Sequence, residues 1–356
     1  MMLPILASVV AAAPGLAEQD LWVGGAGGYH TYRIPAIITT PRGVVLAFCE
    51  GRVRGRSDSG EIHLLMRRSL DGGMAWEPSR VISAAAGYTT GNPCPVVDRD
   101  SGTVTLLLTR NLASETESEI LSGTSEETRS VWMTRSEDDG ATWTEPADIT
   151  ATTKAPGWTW YATGPGVGIQ AGSGRLIVPC DHALAGSNLY ESHVIISDDG
   201  GLTWCLGGTV TPKVNECQVV ELSGGRLMLN MRNYDGRHRR AVALSDDGGL
   251  TWTRPLVDEA LVEPVCQASL IRCADGALLF ANPASQQRVR MTVRLSRDDG
   301  RTWPAKRVLH DGPSAYSCLT ELRDETVGCL YERGDRDPYE RLTLARFTVG
   351  WIADGA

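Results

Sequence analysis

One candidate for acid–base chemistry lies in a short segment early in the chain. Residues 50–61 are rich in Gly, Ser and Arg, and they carry Asp58 together with Arg52, Arg54 and Arg56 between two apolar stretches. A carboxyl on a mobile, partly desolvated loop is suited to give up a proton and take one back. Three guanidinium groups facing that carboxyl would lower its pKa, the wrong direction for an acid. This conflict is relieved if only Arg52 points inward.

Metal and cofactor chemistry has no comparable pattern in the sequence. The nine cysteines and six histidines include no CxxC pair, no zinc-like Cys/His spacing and no HExxH motif. We therefore expect no metal and no cofactor, and we expect most cysteines to be small buried hydrophobic residues. The net charge is −9, and 31 of the 34 cationic residues are arginines spread along the chain, which argues against a nucleic-acid partner.

An eight-residue repeat, Ser-x-Asp-x-Gly-x-Thr-Trp, organises the chain. Its five copies begin at Ser69, Ser136, Ser197, Ser245 and Ser296, and only the first departs from the pattern, by one residue. In such a segment the Asp side chain accepts backbone N–H groups across a tight turn, Gly supplies a positive φ, and Trp packs on the following sheet. We interpret each copy as a structural hairpin turn without a catalytic role.

The spacing of these turns favours an all-β fold. Successive copies lie 67, 61, 48 and 51 residues apart, and alternating apolar residues such as Ile62, Leu64 and Met66 precede them. No segment of ten or more residues has helical periodicity. Short strands, Gly-rich turns and this repeat predict a β-propeller, which binds ligands where its central channel opens. Five turns require five blades, and the tail at 316–349, completed by a strand near residues 21–23, supplies a sixth.

Together with the segment Tyr32-Arg33-Ile34-Pro35, the repeats make the chain resemble the bacterial and animal sialidases (neuraminidases) over nearly its whole length. Lectin-like and sorting-receptor propellers also contain such repeats, known as Asp boxes, whereas the Tyr-Arg-Ile-Pro segment is much more specific. The resemblance implies a six-bladed β-propeller and a retaining exo-sialidase. Its partners would be sialylated glycoproteins and oligosaccharides, with gangliosides left open.

The resemblance also implies how the substrate is held. Sialic acid carries a carboxylate on its anomeric carbon, and arginines bind such an anion bidentately. The family uses three arginines from different blades, which correspond here to Arg33, to Arg232 in the segment LNMRN, and to Arg288 in the segment QQR. Arg290 and Arg294 lie nearby and leave the third assignment open.

The substrate's own charge bears on the nucleophile. A carboxylate would be repelled by the carboxylate of the sugar, so a neutral phenol activated by a nearby Glu is the better attacking group, as is recognised for sialidases. The resemblance assigns the nucleophile to Tyr316, its partner to Glu216 and the acid/base to Asp58, with Arg52 as an auxiliary arginine. Glu221 is the nearest alternative to Glu216.

Further residues resemble family segments that touch the sugar. Asn92 and Gln267 are candidate contacts, and Trp158, Trp160 and Tyr161 are candidates for an apolar wall around the N-acetyl or glycerol group, with core packing as the alternative. Residues 180–182 are Cys-Asp-His where mammalian cytosolic relatives have aromatic residues, so the glycerol contacts of those relatives are not transferred.

Three other functions stay open at this stage. A trans-sialidase or a glycosidase acting on a deaminated sialic acid would use the same residues. A non-catalytic lectin or receptor propeller would not need Tyr316, Glu216 and Asp58 together with three arginines. The sequence does not decide the preferred linkage.

The first 17 residues carry no charge and end in Gly-Leu-Ala, similar to the cleavage site of a signal peptide. The apolar run has no preceding Lys or Arg, so an ordered N-terminal arm is the alternative. Broken by Pro4 and Pro14, the segment is a poor membrane-spanning helix. We expect a secreted or periplasmic protein, with a cytoplasmic one as the alternative, in which residues 18–356 form one propeller domain.

Overall fold

The computed structural model describes residues 15–187, 189–323 and 325–355, and within them the chain is nearly all-β. In chain order the strands are β1 (Leu16–Val23), β2 (Thr31–Thr39), β3 (Val45–Arg52), β4 (Ile62–Ser69), β5 (Arg80–Ser83), β6 (Tyr88–Val97), β7 (Val104–Leu112), β8 (Ser130–Ser136), β9 (Ala147–Asp148), β10 (Trp158–Thr163), β11 (Ile169–Gln170), β12 (Leu176–Leu184), β13 (Tyr190–Ser197), β14 (Cys205–Val210), β15 (Val214–Glu221), β16 (Leu227–Asn233), β17 (Arg239–Ser245), β18 (Leu256–Val262), β19 (Ser269–Arg272), β20 (Leu278–Pro283), β21 (Val289–Ser296), β22 (Ala305–Glu321), β23 (Thr326–Arg333) and β24 (Arg341–Thr348). The helices are α1 (Glu117–Ser122), α2 (Thr150–Thr153) and α3 (Val349–Ala353). All three are short, as the lack of helical periodicity predicted. None of the helices in the described part of the chain is long and apolar enough to cross a membrane.

The strands form four sheets in which neighbours in sequence are mostly neighbours in space. The first contains β2 to β9, the second β10 to β14, the third β15 to β18, and the fourth β19 to β24 with β1 at its edge. Pairing is antiparallel, except that Ile62 in β4 and Thr89 in β6 form one parallel pair. The long strand β22 pairs with β21 through its first half and with β23 through its second half.

The N-terminal strand completes the fourth sheet, as the sequence predicted for residues 21–23. It is longer than expected, because β1 pairs with β24 from Leu16 opposite Phe347 to Val23 opposite Arg341. The expected boundary between residues 17 and 18 therefore falls inside a strand. The signal-peptide hypothesis concerns residues that lie, up to residue 14, outside the described part of the chain, and it stays a prediction.

The Asp boxes are hairpin turns, as expected. In the copy that begins at Ser245, the Ser245 hydroxyl donates to Asp247 Oδ1 at 2.8 Å, and the backbone N–H of Thr251 donates to the same oxygen at 2.9 Å. The hydroxyl and N–H of Thr251 hold the pKa of Asp247 at about 2. Gly249 has φ of 89°, and Trp252 packs against the core between the second and third sheets. The Ser–Asp bond recurs in the other four copies.

Apolar side chains between neighbouring sheets fix the platform for the site. Ile177 and Val194 of the second sheet pack with Val219 and Leu229 of the third, and all four are fully buried. Burial of such a side chain contributes about 1.5–3 kcal/mol. All nine cysteines are free and eight of them are buried, in agreement with the sequence analysis.

Candidate active site

A polar cavity of about 350 Å³ opens at one end of the strands and gathers residues from Arg33 to Tyr339. Nine of the twelve residues put forward as site residues from the sequence line it, which are Arg33, Arg52, Asp58, Asn92, Trp160, Glu216, Arg232, Arg288 and Tyr316. Trp158, Tyr161 and Gln267 do not.

Bulges in the strands turn these side chains towards the cavity. Five strands, β2, β6, β10, β15 and β22, shift register against a neighbour near the cavity. A bulge re-aims side chains that regular alternation would place elsewhere. A predicted site residue lies at or within each of these shifts, namely Arg33, Asn92, Trp160, Glu216 and Tyr316.

Arg33 is oriented by a buried carboxylate. Its Nε donates to Glu332 Oε1 at 3.0 Å and its Nη2 donates to Glu332 Oε2 at 3.3 Å. The same two oxygens accept the backbone N–H groups of Ile34 and Tyr316, each at 3.0 Å. Ile34 has φ of 58°, a left-handed conformation that costs a β-branched residue about 1–3 kcal/mol. Glu332 thus stabilises a strained bulge and connects Arg33 to Tyr316.

Sequence reasoning missed Glu332. Alternation with Val327, Cys329 and Tyr331 places it on the opposite face of its strand. That face is not exposed, because β23 is buried on both sides and Glu332 is 0% exposed. A Glu that directly follows the apolar residues 327–331 was the available signal.

The other two predicted arginines also reach Tyr316. Arg232 Nη1 donates to Glu216 Oε2 at 2.9 Å and lies 3.4 Å from the Tyr316 hydroxyl. The guanidinium carbons of Arg33 and Arg288 lie 4.9 Å and 5.6 Å from the centre of the Tyr316 ring. Arg288 Nη1 also donates to the Tyr339 hydroxyl.

The neighbours of Arg288 do not compete for this position. Arg290 is exposed and pairs with Asp311 at 3.7 Å, while Arg294 is buried against Asn282. Neither lines the cavity. Arg288 is therefore the arginine of its strand segment that faces Tyr316.

Tyr316 and Glu216 form a buried hydrogen-bonded pair. The Tyr316 hydroxyl donates to Glu216 Oε1, while Arg232 contacts the other oxygen. Burial, and then the charge of Glu216, raise the pKa of Tyr316 well above its ordinary value, against the opposing effect of Arg232 and Arg288. The phenol is therefore neutral at neutral pH, and Glu216 is in position to take its proton. Glu221, the alternative glutamate, lies at the opposite end of β15 and binds the backbone N–H of Gly172.

Asp58 lies at the open side of the cavity with its side chain 52% exposed. Of the three arginines in its loop only Arg52 contacts it, with Nη2 at 2.6 Å from Oδ1, while Arg56 pairs with Asp337. Arg33 Nη1 is 3.5 Å from the same oxygen. Desolvation raises the pKa of Asp58, but the charges of Arg52 and Arg33 together outweigh it and hold the pKa below its usual value. Only Arg52 of the loop arginines faces Asp58, as expected, yet the pKa of Asp58 is still lowered rather than raised.

Two auxiliary assignments need correction. Tyr161 is fully buried, and its hydroxyl hydrogen-bonds to Thr153 O and His193 in the core. Gln267 is 1% exposed, and its amide joins Pro165 O to the backbone of Ser317, next to Tyr316. Both residues support the fold around the cavity and do not line it.

The apolar wall expected for the sugar is largely absent from the described cavity lining. Trp158 stacks on His182 with ring centres 3.4 Å apart, away from the cavity. Trp160 does line the cavity, but Arg129 covers its ring at 3.8 Å. Glu117, Arg129 and Asp181, which were not predicted as site residues, complete this side.

Comparison with known proteins identifies the class of protein. A BNR repeat-like domain matches residues 43–329. A sialidase of Micromonospora viridifaciens is 36% identical over 95% of this chain and 55% of its own length. An exo-alpha-sialidase of Aspergillus fumigatus is 32% identical over 92% of this chain and 86% of its own length. The chain belongs to the sialidase family of glycoside hydrolases.

Solved structures agree with this assignment. A Hadza microbial sialidase superimposes with a TM-score of 0.86 at 32% identity, covering 94% of this chain and 69% of that chain. The chain spans little more than half the length of the Micromonospora relative but most of the fungal one.

Proposed function

We propose that this protein hydrolyses the α-ketosidic bond of terminal sialic acids in glycoconjugates with retention of configuration. One observation carries the proposal: a buried Tyr316–Glu216 pair lies among the guanidinium groups of Arg33, Arg232 and Arg288. This combination of a neutral phenol, a carboxylate base and clustered positive charge fits a substrate with a carboxylate on its anomeric carbon.

The three arginines bind the substrate carboxylate. Arg33 is pre-oriented by Glu332 and Arg232 by Glu216, so little side-chain entropy is lost when the anion binds. Arg232 Nε is buried and has no hydrogen-bond partner within the described chain, which leaves one N–H of the guanidinium for a ligand. The anion then fixes the anomeric carbon next to the Tyr316 oxygen.

Two displacements account for retention. In the first, Glu216 takes the phenol proton as the Tyr316 oxygen bonds to the anomeric carbon, and Asp58 protonates the departing glycosidic oxygen. In the second, Asp58 takes a proton from water as the water oxygen bonds to that carbon, and Tyr316 leaves and recovers its proton from Glu216. Two inversions at one carbon restore the original configuration.

The fold that carries this site is, in our proposal, a six-bladed β-propeller. Dividing the first sheet between β5 and β6, and the fourth in the middle of β22, gives six consecutive units, five of four strands and one of five. Neighbouring units contact each other in a closed cycle, with β2 against both β6 and β22, and with β15 and β19 linking the later units. Since the site draws on residues from Arg33 to Tyr339, these units form one catalytic domain.

A covalent trapping experiment tests the proposal. The protein is incubated with a 2,3-difluorinated sialic acid, digested and mapped by mass spectrometry, and we expect the sugar on Tyr316. Y316F should not be labelled. Y331F is the matched control, because Tyr331 is fully buried and donates to Glu18 outside the cavity, and it should label normally.

The anomer released first provides an independent test. NMR of a sialoside digest should detect the α anomer before mutarotation. An adduct on Glu216, or early appearance of the β anomer, would contradict the assigned roles. A protein that only binds glycans would release no sugar at all.

A further inference from the structure

A buried carboxyl in the cavity is not used by the mechanism above. Asp181 in β12 is 1% exposed, and both of its carboxyl oxygens lack a hydrogen-bond partner among the described residues. Yet Asp181 lines the cavity, next to Ala162, which lies opposite it in β10. Buried polar atoms are nearly always hydrogen-bonded, so this carboxyl, unpaired within the protein, is available to a group that enters the cavity.

The protonation state of Asp181 restricts which chemical groups can hydrogen-bond to it. Burial, and then the charge of Glu216, raise the pKa of Asp181 well above its ordinary value. This shift favours the neutral carboxylic acid, which has one O–H to donate and a carbonyl oxygen to accept. A hydroxyl group, which also donates and accepts, matches both functions.

The position of Asp181 limits which part of the substrate it meets. In the proposed propeller, Asp181 belongs to the third unit and Tyr316 to the sixth, so they lie on opposite sides of the channel. The sugar's carboxylate and anomeric carbon are held at the Tyr316 side. Its far end therefore points to the third unit.

The surroundings of Asp181 are polar as well. Arg129 covers the ring of Trp160, and Glu117 accepts the Tyr190 hydroxyl at 2.7 Å. This wall suits hydroxyl groups better than an apolar substituent.

We propose that Asp181 determines specificity by binding hydroxyl groups at the end of the sugar farthest from the carboxylate fork. The inference rests on the proposed sialidase function and extends it. The hydroxyls in question belong either to the glycerol tail or to the ring.

The test compares three aryl ketosides with the same leaving group: the intact nine-carbon sugar, a seven-carbon analogue whose tail is shortened by periodate and borohydride, and the 5-hydroxy analogue. Each is assayed with wild type, D181N, D181L and D181A. D181N keeps the shape and hydrogen-bonding capacity, while D181L and D181A remove the polar atoms. D258L is the matched control, because burial also raises the pKa of Asp258 but that residue does not line the cavity.

Wild type should distinguish the intact sugar from at least one analogue by about 10- to 100-fold in kcat/KM, the factor that hydrogen bonds to a buried group supply. D181L and D181A should reduce that ratio to within about 3-fold of unity, whereas D181N and D258L should keep it. A change confined to the seven-carbon analogue assigns the contact to the tail, and one confined to the 5-hydroxy analogue assigns it to the ring.

The opposite results would overturn the inference. Ratios that stay the same in folded D181L or D181A, or a wild type without any preference, would remove Asp181 from substrate recognition. If D181L fails to fold, D181A against D181N gives the same comparison. Wild type that releases no sugar from the intact ketoside would refute the proposed function itself, which separates the two failures.

Discussion

Replacing Glu332 by Gln should damage the site strongly, although Glu332 itself does not line the cavity. Its two oxygens accept four donors: Oε1 accepts from Arg33 Nε and the backbone of Ile34, and Oε2 from Arg33 Nη2 and the backbone of Tyr316. A Gln side chain has the same shape but presents an NH₂ group in place of one oxygen. Either orientation of the amide sets that NH₂ against two donors, one of them on Arg33.

The size of the effect follows from burial. Glu332 is 0% and Arg33 5% exposed, so Arg33 would lose its buried counter-charge and keep only the longer 3.5 Å contact with the half-exposed Asp58. Breaking a buried pair on one side costs about 3–5 kcal/mol. We expect E332Q to lose stability in that range, and to bind an unsaturated sialic acid analogue more weakly because Arg33 is no longer oriented.

Glu18 offers a control, because it is a carboxylate that also pairs with residues of β23, the strand that contains Glu332. It accepts the Tyr331 hydroxyl at 2.6 Å and Arg333 Nη1 at 3.0 Å, but at the partly exposed edge of the sheet and outside the cavity. E18Q should cost about 1 kcal/mol and leave inhibitor binding unchanged. Urea unfolding gives the stability of both variants and calorimetry gives the inhibitor affinity. Equal unfolding midpoints for E332Q and E18Q, with equal inhibitor affinity, would refute the assigned role of Glu332.

Three further predictions follow from the cavity. R232A should weaken binding of a carboxylate inhibitor by about 2–5 kcal/mol in a titration, whereas R226A, which breaks an exposed pair with Asp246, should not. D58N should lose most activity on natural glycosides yet keep much more on substrates with acidic phenol leaving groups, as measured by kcat/KM. Asp58 must be protonated to act as the acid, so activity falls as pH rises through its pKa. That pKa is lowered in the free protein, which kcat/KM reports, and should be higher in the substrate complex, which kcat reports. The alkaline limb of kcat/KM should therefore lie at lower pH than that of kcat; coincident limbs would contradict this.

The fold was predictable because its signals are local. Each Asp box closes its turn with bonds inside eight residues, as in the bond from Ser245 to Asp247, so the repeat reports a structure that forms wherever the pattern occurs. Alternating apolar residues identified strands for the same reason. Arg33 was assigned from the family resemblance of the segment Tyr32-Arg33-Ile34-Pro35, which is local as well and contains the positive φ of Ile34.

The rest of the site depends on contacts between distant segments. Glu332 meets Arg33 across 299 residues, and no spacing in the sequence reports such a bond. Tyr161 follows Trp160 directly, and alternation along β10 places one ring in the core and the other at the cavity. Which of the two faces the cavity depends on packing against distant segments, so the sequence alone could not choose between them.

The arrangement around Asp58 explains how a carboxyl with a lowered pKa can serve as an acid. In the free protein Arg33 and Arg52 favour the ionised form, and Arg52 also pairs with Glu50 at 2.7 Å, which offsets part of its charge. A substrate carboxylate bound to Arg33 brings a negative charge close to Asp58, and the bound sugar removes water from a side chain that was 52% exposed. Both changes favour the neutral carboxyl. In the proposed mechanism Asp58 would therefore acquire its proton as the substrate binds, and the arginine proposed to hold the substrate would also control the acid.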